Sequence, residues 1–258
     1  QLEASLDLLN RLIERYPNES AFYISRANLF LAKGNRPAAK ADFDKAVLVD
    51  PNNYSAFRER GSFFRNSSSP DLARIDYDKA ISLLNEEIKK NPQNAPLEVD
   101  RAEIMEQNGN IQGALNEYEN YLKIWPLNYS VLRKTGQIYS SMKRWPQAID
   151  AFSTIIDNFP EDAKTFLSRG LAFQQSGNLQ EALNDFNKAV QLNPDEYAYY
   201  YFRSTIRNKM GDNAGCKSDL KTSASLLKDQ STKRKLDKEE QDLLSLIQKQ
   251  LNNDTGKQ

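Results

Sequence analysis

Apolar residues recur along the chain in the three- and four-residue steps of a helix face, with polar and charged residues between them. The helix-period segments come in pairs, each joined by a short loop and closed by a proline that ends the second segment. These prolines are Pro17, Pro51, Pro92, Pro126, Pro160 and Pro194. They stand 34 residues apart except for one interval of 41, between Pro51 and Pro92. The loops inside the pairs carry Gly34-Asn35, Gly109-Asn110, Gly177-Asn178 and Gly211-Asp212, as expected where a left-handed residue ends a helix. A fixed period of this size predicts a solenoid of repeated helical hairpins.

Aligned on the prolines, the repeats place small residues in two columns: Ala27, Gly61, Ala102, Gly136, Gly170 and Ser204, then Ala39, Ala73, Ala114, Ala148, Ala182 and Cys216. Large side chains such as Tyr23, Phe57 and Phe166, Phe30, Phe64 and Phe173, and Phe43, Tyr77 and Phe186 fill the columns between. Small sites let paired helices approach, and the large residues interleave between them. This order resembles the tetratricopeptide repeat over about nine tenths of the chain. The resemblance implies an all-α, right-handed superhelical solenoid of antiparallel helix pairs, with first helices lining a concave groove. One solenoid is expected over 1–258, with six near-complete repeats at 20–51, 54–92, 95–126, 129–160, 163–194 and 197–228. Residues 1–17 read as the second helix of a partial repeat, 228–235 as a basic linker, 236–251 as a capping helix opened by an Asp237/Glu240 capping box, and 252–258 as a frayed tail.

Two departures stand out. Residues 73–80 match 39–46 position by position, so the seven extra residues of the 41-residue unit follow Ala80. They contain no Gly or Pro and predict a second helix about two turns longer, projecting from one edge. Where the family pattern has Leu, five units carry Arg with an acid sixteen residues later: Arg26/Asp42, Arg60/Asp76, Arg101/Glu117, Arg169/Asp185 and Arg203/Asp219. The remaining unit has Thr135 and Ala151, losing both partners together, which marks these as structural ion pairs within each hairpin.

Carried over from the family, the ligand-facing positions give Asn28, Arg58, Ser62, Asp100, Glu103 and Gln107 in the first three units. The next three give Arg133, Lys134 and Gln137, then Lys164, Leu167, Leu171 and Gln175, then Tyr201, Phe202 and Thr205. The face changes from acidic in the third unit to basic in the fourth and apolar in the last two. The family's carboxylate clamp for chaperone tails is not matched: Arg133 and Gln137 are followed by Ser168, Ala198 and Phe202. Tyr201 and its neighbours read as peptide anchors, as a patch covered by the terminal helix, or as one covered by a second copy of the chain. Trp125 and Trp145 read as packing residues.

Composition narrows the chemistry. With 35 basic and 35 acidic residues the net charge is zero, so no global field draws the chain to nucleic acid or an anionic membrane. The sequence contains no histidine, which removes His-dependent nucleophile systems and the commonest zinc ligand. No phosphate loop or metal-ligand motif is present, so no catalytic, cofactor or metal site is expected. The one cysteine, Cys216, rules out an internal disulfide, and no apolar run is long enough to span a bilayer. The chain begins at Gln1 inside a helical pattern, which favours a trimmed, exported or periplasmic protein over a cytoplasmic one. The expected function is a scaffold that binds a protein or peptide in its groove. The alternative is a structural or homo-oligomerising component that uses its convex face or terminal helices.

Overall fold

The computed structural model describes residues 2–253, which form fourteen helices and no strand. Their contacts group into two compact units, Gln1–Ile124 and Trp125–Gln258. The first contains α1 (Leu2–Arg15), α2 (Ser20–Ala32), α3 (Arg36–Val49), α4 (Tyr54–Arg65), α5 (Pro70–Lys90), α6 (Pro96–Gln107) and α7 (Ile111–Ile124). The second contains α8 (Tyr129–Ser141), α9 (Trp145–Asn158), α10 (Ala163–Gln175), α11 (Leu179–Leu192), α12 (Tyr197–Lys209), α13 (Asn213–Lys233) and α14 (Lys238–Asn253). The hairpins α2/α3, α4/α5 and α6/α7 build the first unit, and α8/α9, α10/α11 and α12/α13 the second.

Turn chemistry sets the hairpins. Gly34, Gly109, Gly177 and Gly211 hold φ between +75° and +87°, and the other two hairpins place Ser68 (φ +55°) and Lys143 (φ +57°) in the same left-handed region. Side chains then cap the following helices. Asn35 accepts from the Ala38 amide, and Asp212 from Gly215 at 2.8 Å. Between repeats, Asn53 and Asn128 cap α4 and α8 in the same way.

The small and large columns interlock. A Cβ added at Gly136 would lie 2.7 Å from the Phe152 ring, and one at Gly170 2.6 Å from Phe186. Ala39, Ala114, Ala148 and Ala182 are fully buried beside Phe43, Tyr118, Phe152 and Phe186. Each helix therefore contributes a narrow apolar stripe to a thin core.

Each of the five arginines meets its predicted acid. Arg26 bonds Asp42 through Nε and Nη2, both at 2.7 Å, and Arg60 reaches Asp76, Arg169 Asp185 and Arg203 Asp219 through the same forked contact at 2.6–2.9 Å. Glu117 receives one bond from Arg101, at 2.7 Å. Nη1 also donates to a residue sixteen positions earlier, on the second helix of the preceding repeat: Asn10, Asp44, Asn85, Ser153 and Asn187 in turn. The guanidinium of Arg26 lies over Tyr23 and Phe30, that of Arg60 over Phe57 and Phe64, and that of Arg169 over Phe166 and Phe173. One side chain thus ties its hairpin shut and fastens it to the hairpin before.

Two second helices are 21 residues long: α5 has the two extra turns expected of it, and α13 corrects the sequence reading. The overhang of α5 does not simply project. Leu84 is fully buried, and Ile81 and Ile88 pack on the cluster that includes Leu97 of α6. The basic linker expected at 228–235 is helical through Lys233, because the segment lacks Gly and Pro and Lys233 pairs with Asp229 one turn back at 2.6 Å. The true connection is short. In it Arg234 binds Glu240, whose Oε2 accepts the Asp237 amide at 3.0 Å while Asp237 Oδ1 accepts the Glu240 amide at 2.9 Å. This is the predicted capping box, and these contacts pull the Glu240 carboxyl down to about 2, the Arg234 bond contributing most. Of the tail expected at 252–258, Asn252 and Asn253 belong to α14, and 254–258 lie outside the described residues.

Candidate functional site

The positions expected to face a ligand lie on the first helices of the hairpins: α2, α4 and α6 in the first unit, and α8, α10 and α12 in the second. In the first unit most of them are already engaged. Tyr54 donates to Asp100 at 2.6 Å, joining α4 to α6, and its phenol is pushed up to about 12, first by burial and then by this bond. Ser62 donates to Gln107 Oε1 at 3.4 Å, and Arg65 reaches the Gln107 carbonyl. Arg58 pairs with Glu59 at 3.0 Å. Asn28 is exposed on α2. Glu103 is half-buried near the Tyr118 hydroxyl, which burial first and then Glu106 and Glu103 push well above its ordinary value.

The second unit is more open. Arg133, Gln137, Lys164 and Gln175 are exposed, whereas Lys134 is half-buried and has an interaction of its own. Tyr129 donates to Asp162, the residue capping α10, at 2.7 Å and so braces α8 against α10. Between these two helices Gln137, Leu171 and Gln175 meet around a cleft of about 210 Å³, with Ser168 beside them and Trp145 from the start of α9. Leu171 packs from one side on the cluster of Phe186 and Ile206, as does Leu167.

The apolar end divides. Tyr201 packs on the cluster of Leu220, Leu227 and Ile247, where Leu243 and Leu244 of α14 also lie, so the terminal helix takes part in covering it. Phe202 lies 6.3 Å from the Phe186 ring, and Thr205 turns its hydroxyl onto the Phe202 carbonyl. Leu171 lines an open cleft, while Tyr201 and Phe202 serve the core and the cap. Trp145 is the cleft residue that sequence reasoning assigned to packing. Its position at the first turn of α9, directly after the hairpin, is what brings its ring to the last turns of α8. Among the described residues no cluster of His, Cys, Asp or Glu could hold a metal ion, and no helix is long and apolar enough to cross a membrane.

Family models described as tetratricopeptide repeat match residues 24–95 and 99–163, and residues 163–196. The chain belongs to the tetratricopeptide repeat family. That family typically supplies non-catalytic protein-interaction scaffolds. Human mitochondrial import receptor subunit TOM70 is 23% identical over 178 residues, covering 68% of this chain and 29% of TOM70. The chain thus spans less than a third of that relative. A tetratricopeptide repeat protein from Parabacteroides merdae has a similar fold, with TM-score 0.59 and 20% identity over 89% of this chain and 99% of the other. YrrB, a TPR protein with an unusual peptide-binding site, aligns with TM-score 0.50 and 19% identity over 74% of this chain and 95% of its own.

Proposed function

We propose that this tetratricopeptide repeat chain is a non-catalytic scaffold that holds a segment of another protein along its first-helix faces. The cleft between α8 and α10 carries the reading, because three residues chosen as ligand-facing from sequence, Gln137, Leu171 and Gln175, converge there on open space. The peptide-binding site of the similarly folded YrrB and the receptor role of TOM70 lend support. The polar first-unit face then serves as a secondary, adjustable surface, since its side chains must exchange internal bonds for ligand bonds.

The test is to select peptides on the whole chain by display and measure their affinity by fluorescence anisotropy. Binding should fall at least several-fold in Gln175→Trp, which fills the cleft from an exposed position. Binders insensitive to Gln175→Trp and to Asn28→Trp would reject the groove. A second reading rests on the second helices, where Leu48 of α3 and Ile75 of α5 are 71% and 62% exposed. Association through that face would appear as concentration-dependent sedimentation abolished by Leu48→Glu with Ile75→Glu.

A further inference from the structure

The charged ligand-facing positions of the second unit are all basic, and the carboxylate of Asp162 beside them is already held by Tyr129 and Thr165. They include Arg133 and Lys164, both exposed. Arg133 precedes Gln137 by four residues on α8, and Lys164 precedes Ser168 by four on α10. Residues four apart share a helix face, so each cation stands one turn from a cleft-lining residue, at the N-terminal end of its helix. Four residues of helix rise about 6 Å. An extended chain covers that distance in two residues, at about 3.3 Å each.

The cleft itself suits an apolar side chain. Leu171, Ala172, Phe152 and the Trp145 ring line it, and the amides of Gln137 and Gln175 stand at hand for a ligand backbone. We infer that this cleft takes an extended acidic segment, with an aliphatic side chain seated at its Gln137 and Ser168 end, beside Leu171, and a carboxylate two residues away held by Arg133 and Lys164. The inference rests on the groove reading above and adds the chemistry of its occupant. The internal carboxylate distinguishes it from recognition of a chain terminus.

The probes are three fluorescein-labelled ten-residue Ser/Gly peptides carrying Glu-Ser-Leu, Lys-Ser-Leu or Glu-Ser-Ser at their centre, titrated against the full chain. Trp125→Phe leaves Trp145 as the sole tryptophan, so a change in its emission reports occupancy of the cleft. The Glu-Ser-Leu peptide is expected to bind about tenfold more tightly than either other peptide, the scale of two exposed ion pairs or of one buried aliphatic group. It should weaken as salt rises from 0.05 to 0.5 M. Arg133→Glu with Lys164→Glu, both on exposed positions, should invert the preference toward Lys-Ser-Leu while leaving the far-UV spectrum and unfolding midpoint unchanged.

Equal binding of all three peptides, or an unaltered preference in the double variant, would overturn the inference. So would failure of the Glu-Ser-Leu peptide to bind. In each case the groove reading stands if display-selected peptides still depend on Gln175, so the two failures are distinguishable. A concentration-dependent dimer dissolved by Gln175→Trp would instead assign the cleft to a second copy of this chain.

Discussion

Removing Arg169 should cost far more in the presence of Asp185 than in its absence. Asp185 is 4% exposed and receives both forked bonds of Arg169, at 2.9 and 2.8 Å. Arg169→Ala leaves that carboxylate buried without its partner, for which about 3 kcal/mol is the expected loss. Asp185→Ala leaves an Arg169 side chain that is 19% exposed and still bonded to Ser153, so about 1.5 kcal/mol is lost there. The double variant should lose about 2 kcal/mol, well short of the sum, for a coupling of roughly 2.5 kcal/mol. Both tryptophans lie in the same unit as the pair, so urea denaturation followed by their fluorescence isolates it. The pH dependence supplies a second readout. Burial already holds the Asp185 carboxyl above its ordinary range, against the lowering effect of Arg169. Without Arg169 it rises further, so the folded variant takes up a proton that the unfolded chain releases. The deficit of Arg169→Ala should therefore shrink as pH falls from 7 toward 5. A coupling below about 0.5 kcal/mol with a pH-independent deficit would refute the buried-pair account.

Other expectations follow from the same contacts. Lys143→Gly should stabilise the second unit by about 1 kcal/mol, since Lys143 sits at φ +57° where other hairpins use glycine, and Gly177→Ala should cost a similar amount in urea denaturation. Gly170→Ala should destabilise by about 1–3 kcal/mol, because its Cβ would meet the Phe186 ring at 2.6 Å, and Phe186→Leu should recover part of that loss in a double-mutant cycle. Leu84→Ala should cost about 2–5 kcal/mol in the first unit if the α5 extension belongs to the core. The Glu240 contribution, whose folded value lies near 2, should be fully present above the ordinary carboxylate range and be lost as pH falls toward 2. Glu240→Gln should remove that dependence in hydrogen exchange of α14.

What could be read from sequence was whatever repeats. The proline period, the glycine loops and the paired Arg and acid columns recur at fixed offsets, and each reflects a backbone or packing requirement that every hairpin shares. The second acceptor of each arginine escaped notice because Asn10, Asp44, Asn85, Ser153 and Asn187 share hydrogen-bonding capacity and not residue type. The α13 extension is hidden in the sequence because a charged, Ser/Thr-containing stretch resembles a linker, and only its i,i+4 pairing marks it as helix. The cleft was half legible. The resemblance to the tetratricopeptide repeat implied ligand-facing positions at Gln137, Leu171 and Gln175, but the part played by Trp145 depends on how the α9 turn meets α8. The covering of Tyr201 depends on where α14 docks, which no repeat position specifies.

Ligand is proposed to lie on the first-helix face of the second unit. Hydrogen exchange by mass spectrometry, with and without a saturating display-selected peptide, tests it most directly. Added protection should concentrate in 129–141 and 163–175, the spans of α8 and α10, and be lost in Gln175→Trp. Protection confined to the second helices α3 and α5, with α8 and α10 unchanged, would contradict the account.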